Sequence, residues 1–143
     1  RTMISSRKID DLHPTVAKLC SAHITACGQA GIELLISCTY RDHDEQARLY
    51  ALGRTAPGKK VTNAGPGQSM HNYRLAYDVV PMRHGKPVWG TAGEDGKLWA
   101  QVGALGQQAG LEWGGAWKSF KDLPHFQYTG GHPLAFFLAG GKL

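Results

Sequence analysis

The chain has 143 residues, of which 42% are hydrophobic and 19% charged, and its formal net charge is +5. This balance predicts a folded globular protein with a buried core and argues against general disorder. No apolar run reaches the roughly 18 residues of a membrane span, and no basic and apolar leader opens the chain, so we expect neither membrane insertion nor an export signal. The length predicts a single domain over residues 1–143, which we expect to be a monomer.

The positive charge favours an anionic partner, because a positive field concentrates negative surfaces around the protein. The basic residues are scattered along the chain, and there is neither a basic helix nor an RNA-binding aromatic motif. We therefore do not expect a nucleic-acid partner, whereas an anionic bacterial envelope fits the charge. Three cysteines without metal or disulfide spacing predict buried thiols in a reducing cytoplasm: Cys20, Cys27 and Cys38.

The first third of the chain predicts a helix, a strand and a second helix. Pro14 suits the first position of a helix. The segment 32–38 is short and rich in apolar and β-branched residues, which predicts a buried strand. Asp42, followed three residues later by Glu45, predicts an N-cap with capping-box support for a helix that runs to Gly53.

The rest of the chain alternates short strands with one further helix. In chain order we predict an irregular stretch at 54–68, a strand at 76–82, a hairpin turn at 83–86, a separating segment at 93–96, a helix with an apolar face over 98–109, and short strands at 111–113 and 125–128. A long loop in a compact domain is usually functional or mobile. Because regular β-α-β alternation is absent, we predict an α+β fold with a small antiparallel sheet flanked by helices.

Two short motifs carry the chemistry. The first is Ser69-x-His71-x6-Asp78, and the second is Asp122-x2-His125. Two imidazoles and one carboxylate can hold Zn²⁺ in a tetrahedral shell that leaves the fourth position to water, whose pKa falls to about 7. We therefore predict a zinc site formed by His71, Asp78 and His125 on the sheet and its adjoining loops. The alternative for Asp78 is to orient an imidazole without touching the metal.

These motifs resemble those of the M15 zinc metallopeptidases. Trp113-Gly114-Gly115 and the segment 117–126 are similar to the branch of L-alanyl-D-glutamate endopeptidases, and the resemblance covers residues 12–128. The resemblance implies that Asp122 is the general base and that Arg41 contacts the substrate carbonyl and its oxyanion. The family often has Gly where Arg74 stands, and its endopeptidases usually have Asp where this chain has Ala116.

The sequence leaves two possible roles open for several of these residues. Arg41 can instead form a surface salt bridge with Asp42 or Asp44. Ser69 and Gln46 are either substrate contacts or ordinary structural polar groups. The aromatic residues expected to line a peptide cleft are Trp113, Trp117 and Tyr128, whereas Trp89 and Trp99 are expected in the core. The histidines expected at the surface are His13, His23, His43, His84 and His132.

The resulting hypothesis is a zinc-dependent peptidoglycan hydrolase that cleaves the L-Ala–D-Glu bond of the stem peptide. The biological context that fits it is a phage endolysin, held in the host cytoplasm and acting on the cell wall after release. The alternatives are a D-Ala-D-Ala carboxypeptidase of the same family and a non-catalytic zinc-bearing module that binds the wall. A basic nucleic-acid binder is a further alternative.

Overall fold

An antiparallel sheet forms the frame of the fold in residues 3–143, the part of the chain that the computed structural model describes. Its strands are β1 (Glu33–Cys38), β2 (Ala76–Arg83), β3 (Lys86–Pro87), β4 (Glu112–Trp113) and β5 (His125–Gln127). They lie in the order β1-β2-β5-β4, and β3 pairs with β2 beside this path. The helices are α1 (Pro14–Gln29), α2 (His43–Ala51), α3 (Gly93–Gln108) and α4 (Leu134–Leu138). The predicted α+β class is confirmed.

The core lies where α1 and α3 pack on the sheet. Tyr77 and Val79 on β2 have no exposed surface, and they meet Val16 of α1 and Val102 of α3 in one cluster. Burying each side chain of this kind stabilises the fold by about 1.5–3 kcal/mol. Strand β2 is therefore held on both edges and on one face, which makes it a rigid platform for Asp78.

The two predicted helix starts are confirmed by their caps. Pro14 occupies the first turn of α1, and the His13 imidazole accepts a hydrogen bond from the Thr15 amide at 3.1 Å. The Asp42 carboxylate accepts the Glu45 amide at 2.8 Å. Glu45 pairs with Arg48 of the following turn, so only the Asp42 half of the capping box forms. None of the helices in residues 3–143 is long and apolar enough to cross a membrane.

Three sequence-based expectations about burial and boundaries are wrong. Strand β1 lies at an edge of the sheet, so Leu35 is 42% exposed, although the strand was expected to be buried. Helix α3 begins at Gly93, within the segment expected to precede it. Trp89 is 57% exposed beyond the β2–β3 hairpin, whereas Trp99 lies in the core as expected.

His23 was expected at the surface but is fully buried in the core. The Val102 carbonyl can only accept, so His23 Nε2 donates to it at 2.9 Å, and Nδ1 then accepts the Tyr77 hydroxyl at 2.7 Å. Both ring nitrogens have partners, which removes most of the cost of burying a neutral imidazole. Burial lowers the pKa of His23, and the bond to Val102 only partly opposes this shift.

Candidate metal centre

Three predicted ligands meet at one point of the structure. One donor atom from each of His71, Asp78 and His125 lies within 4.8 Å of the other two. Asp78 Oδ1 is 3.2 Å from His71 Nε2 and 3.3 Å from His125 Nδ1. Both imidazoles are buried, at 3% and 6% exposure. The three residues that the sequence predicts as metal ligands therefore form a compact cluster.

The sheet and a short turn place these side chains. Asp78 on β2 and His125 on β5 are directly opposite each other in the antiparallel register. His71 lies in a 3₁₀ turn, Met70–Tyr73, in one of the loops that adjoin the sheet. Ser69 caps this turn by accepting the His71 amide at 3.2 Å.

Arg74 ends the 3₁₀ turn in the left-handed region, with φ of 65°. A non-glycine residue is uncommon there, which gives a physical reason for the glycine that the family resemblance led us to expect at this position. Two contacts hold the Arg74 side chain: its guanidinium lies 3.8 Å over the Tyr40 ring and donates to the Asp11 carbonyl at 2.8 Å.

Hydrogen bonds on the far side of each imidazole fix which nitrogen faces Asp78. His71 Nδ1 lies 2.8 Å from the Thr39 carbonyl, which can only accept, so Nε2 keeps its lone pair for the cluster. His125 Nε2 lies 2.7 Å from Gln127 Oε1, so Nδ1 keeps its lone pair in the same way. Two neutral imidazole nitrogens and a carboxylate are the donors that Zn²⁺ takes in catalytic sites, and the residues therefore fit this ion.

The electrostatics of the cluster favour a positive charge between its members. Desolvation by itself raises the pKa of Asp78, but the neighbouring His71 and His125 hold it well below its usual range. Burial by itself lowers the pKa of His71, but the Asp78 carboxylate raises it above its ordinary value. A partly buried carboxylate between two imidazoles therefore attracts either a proton or a cation shared by all three groups.

Asp122 lies beside the cluster without being part of it. Its Oδ2 is 4.0 Å from His125 Nδ1, and its side chain is half exposed. Its amide donates to the Gly114 carbonyl at 3.0 Å, and a Cβ on Gly114 would collide with the Asp122 backbone. Partial burial raises the pKa of Asp122, against the opposing attraction of His125.

Arg41 faces the same cleft from the end of β1. Its guanidinium donates to Gln46 Oε1 at 3.1 Å and to the Cys38 sulfur at 3.5 Å. Its Nε is buried, and no hydrogen-bond partner is found for it among the described residues. The Asp42 carboxylate, one of its two expected surface partners, instead accepts the amides of Glu45 and Ile4.

Of the two interpretations of Gln46, substrate contact or structural polar group, the structure favours the structural one. Its side chain has no exposed surface. Its oxygen accepts from Arg41, and its nitrogen donates to the Ala64 carbonyl at 2.7 Å. Gln46 therefore holds Arg41 in position and ties it to the 54–68 segment.

The two tryptophans predicted to line a cleft have different positions. Trp117 lines the cleft, with its ring centroid 5.3 Å from that of His125. Trp113 donates to the Leu123 carbonyl at 2.8 Å and stacks on the Phe126 ring. Because Trp113 packs against the core and does not line the cleft, its predicted substrate contact is corrected to a structural position.

An open cleft of about 600 Å³ lies over the cluster. Its lining residues outside the cluster include Arg41, Leu49, Val61, Thr62, Ala64, Gln68, Ser69, Met70, Trp117, Asp122, Gln127 and Leu134. One wall is the irregular 54–68 segment, where Arg54 donates to the carbonyls of Tyr50 and Thr62 at 2.8 and 3.0 Å. The segment therefore forms part of the wall of the cleft, and this position favours a functional role for the long loop.

Two groups that support the ligands were not predicted from the sequence. The Thr39 carbonyl leaves no signal in the sequence, because any residue supplies a backbone oxygen. Gln127 has a weak signal, since it stands two residues after His125 on a strand and therefore shares its face.

A cluster of two imidazoles and one carboxylate at the floor of an open cleft, with a further carboxylate and a guanidinium beside it, is typical of the metal-dependent hydrolases. Comparison with known proteins specifies the family. A family model described as D-alanyl-D-alanine carboxypeptidase, of the M15 peptidases, matches residues 62–128. Peptidoglycan L-alanyl-D-glutamate endopeptidase CwlK of Bacillus subtilis is 39% identical over 122 residues, which are 82% of this chain and 73% of that protein. This chain belongs to the M15 peptidase family.

Two other proteins are informative. The L-alanyl-D-glutamate peptidase of Listeria phage A118 is 38% identical over 104 residues, which are 69% of this chain and 31% of the phage protein. The crystal structure of the Serratia marcescens L-Ala D-Glu endopeptidase ChiX has the same fold, with a TM-score of 0.63 and 24% identity. That match covers 88% of this chain and 89% of ChiX.

Proposed function

We propose that this chain is a zinc-dependent peptidoglycan hydrolase that cleaves the L-Ala–D-Glu bond of the stem peptide. The observation that carries the proposal is the cluster of His71, Asp78 and His125 at the floor of an open cleft. The choice of bond is supported by the 39% identity to CwlK, whose name describes this specificity.

Zinc would be held by His71 Nε2, Asp78 and His125 Nδ1, the atoms that face one another in the cluster. When bound, zinc polarises the scissile carbonyl and makes a coordinated water acidic enough to serve as a nucleophile near neutral pH. Thr39 and Gln127 keep both imidazoles in the tautomer that can donate a lone pair.

Asp122 is the proposed general base. Its carboxylate lies beside the cluster and is half exposed to the cleft, so it can accept the proton of an attacking water and deliver it to the leaving amine. Its raised pKa strengthens it as a proton acceptor.

Arg41 is the proposed stabiliser of the oxyanion. The Gln46 oxygen holds the guanidinium in place, and the buried Arg41 Nε has no hydrogen-bond partner within residues 3–143. A fixed cation near the developing negative oxygen lowers the barrier without reorganising during the reaction.

The open cleft favours an endopeptidase. An endopeptidase must accept peptide chain on both sides of the scissile bond, whereas a carboxypeptidase needs a pocket closed around a terminal carboxylate. Trp117 offers an aromatic wall beside His125 for the bound peptide. We further propose that the protein is a monomeric phage endolysin, which stays in the host cytoplasm until release. The 38% identity to the peptidase of Listeria phage A118 supports this context.

The second candidate is a D-Ala-D-Ala carboxypeptidase, which the description of the matching family model favours. Digestion of purified peptidoglycan, followed by mass spectrometry of the products, separates the two. We expect new N-terminal glutamate, with L-Ala left on the muramyl lactyl group. Free D-Ala as the sole product would show the carboxypeptidase, and wall binding without hydrolysis would show a non-catalytic module.

A further inference from the structure

We propose that Gln127 and Glu112 together fix the tautomer of His125 and thereby set how tightly the site holds its metal. This inference rests on the proposed zinc site. It concerns two side chains outside the ligand set, one on β5 and one on β4.

The sheet register brings the three residues into a row. His125 and Gln127 are two apart on β5 and share a face, and Glu112 on β4 is the direct partner of Gln127 in the antiparallel pair. His125 Nε2 is 2.7 Å from Gln127 Oε1, and Gln127 Nε2 is 3.4 Å from Glu112 Oε1. The other Glu112 oxygen accepts the hydroxyl of the buried Thr129 at 2.9 Å.

The direction of these hydrogen bonds follows from Glu112. A carboxylate only accepts, so it attracts the amide nitrogen of Gln127 and turns the amide oxygen toward His125. An oxygen there also only accepts, so the proton of the neutral imidazole must lie on Nε2. His125 Nδ1 is then left with its lone pair facing Asp78.

The opposite orientation of the Gln127 amide would disable the site. Its NH₂ group would face His125 and favour the tautomer with the proton on Nδ1, the nitrogen that must donate to the metal. His71 does not share this weakness, because its partner is the backbone carbonyl of Thr39. Of the two imidazoles, His125 alone depends on side chains for its tautomer.

The test uses three variants and one control. Gln127→Met keeps the length of the side chain but removes the acceptor, and Gln127→Glu restores an acceptor. Glu112→Leu removes the group that orients the amide. Gln101→Met on the exposed face of α3 is the matched control. The measurements are the zinc dissociation constant by chelator competition and the ¹⁵N shifts of His125 in zinc-free protein, which report which of its ring nitrogens carries a proton.

In the wild type and in Gln101→Met we expect the proton on Nε2 of His125. In Gln127→Met we expect a mixture of tautomers and a zinc dissociation constant raised by about 10- to 100-fold, the usual effect of losing such a partner. Gln127→Glu should restore the Nε2–H tautomer, and Glu112→Leu should give a partial mixture with a smaller loss of affinity.

Unchanged tautomer and zinc affinity in Gln127→Met would overturn the proposal, and unchanged values in Glu112→Leu would overturn the part assigned to Glu112. These outcomes differ from failure of the proposed zinc site, in which the wild type itself would not bind zinc. The NMR measurement also reports on variants that have lost activity, and an unchanged spectrum elsewhere shows that they are folded.

Discussion

Asp78 and Asp122 both lie beside His125, but their surroundings assign them different tasks. Asp78 contacts both imidazoles, which lowers its pKa and keeps it charged as a ligand must be. Asp122 stands 4.0 Å from His125 with a half-exposed carboxylate, which suits the proposed role of proton acceptor.

Replacing Asp122 by Asn should separate catalysis from metal binding. The amide keeps the size of the side chain but cannot take a proton at neutral pH. We expect peptidoglycan hydrolysis to fall by at least about 10²-fold, the effect typical of losing a general base, while zinc content stays normal. Elemental analysis and a hydrolysis assay on the same sample check both parts. The exposed Asp10→Asn is the matched control and should change neither.

Replacing Asp78 by Asn should instead weaken metal binding, because a neutral amide is a poor ligand and removes the charge between the imidazoles. We expect a loss of zinc content during purification and a corresponding loss of hydrolysis. If Asp122→Asn strips the zinc and Asp78→Asn does not, the two roles are exchanged.

The sequence predicted the ligands but not the groups that support them. The motifs that contain His71, Asp78 and His125, together with their resemblance to those of the M15 peptidases, were sufficient to predict the cluster. A glutamine such as Gln46 can either contact substrate or bind another side chain, and the sequence does not distinguish the two. The structure shows that Gln46 is buried and accepts a hydrogen bond from Arg41. The support from Thr39 and Gln127 depends on long-range packing, which a local pattern does not encode.

At the scale of elements, local signals were sufficient where one residue sets the boundary. Pro14 and Asp42 marked the starts of α1 and α2, because a proline at the first turn and a capping carboxylate act within a few residues. The start of α3 was misplaced because two glycines in its first turn favour a loop on propensity alone. The exposure of β1 was missed because an edge strand and a central strand have similar compositions.

Helix α3 approaches the sheet closely, and Gly103 permits this. A Cβ at Gly103 would collide with the Trp113 ring, which is fixed by its bond to the Leu123 carbonyl. We expect Gly103→Ala to be destabilising, because overpacking costs about 1–3 kcal/mol and exceeds the helix propensity gained. The thermal midpoint should fall by several degrees.

Gly28→Ala in α1 is the matched control, since an added Cβ would meet nothing within 4 Å. It should be neutral or raise the free energy of unfolding by up to about 1 kcal/mol. Equal thermal midpoints for the two variants would contradict the close packing of α3 on Trp113.

At the scale of the whole molecule, the buried His23 links stability to pH. Its folded pKa is below its unfolded value of about 6.5, so between these values the unfolded state binds more protons. Its contribution to stability is therefore complete above about pH 6.5 and is lost as the pH falls toward the folded pKa. We expect His23→Gln to show a weaker loss of unfolding free energy than the wild type between about pH 7 and 5.

Denaturant unfolding at several pH values measures this difference. Comparing the two proteins isolates His23, because the other titratable groups, the proposed ligands among them, are present in both. The exposed His84→Gln is the control and should keep the slope of the wild type. Equal slopes for all three proteins would show that His23 does not titrate on unfolding in this range.

The central claim is that one zinc ion, held by His71, Asp78 and His125, makes the chain a peptidoglycan hydrolase. The direct measurement is a titration of zinc into chelator-treated, metal-free protein, with hydrolysis of purified peptidoglycan recorded at each addition. We predict that hydrolysis is absent at the start, rises in proportion to added zinc and reaches a plateau at one zinc per chain, and that His125→Ala shows no such rise. Full hydrolysis by the metal-free wild type would contradict the account.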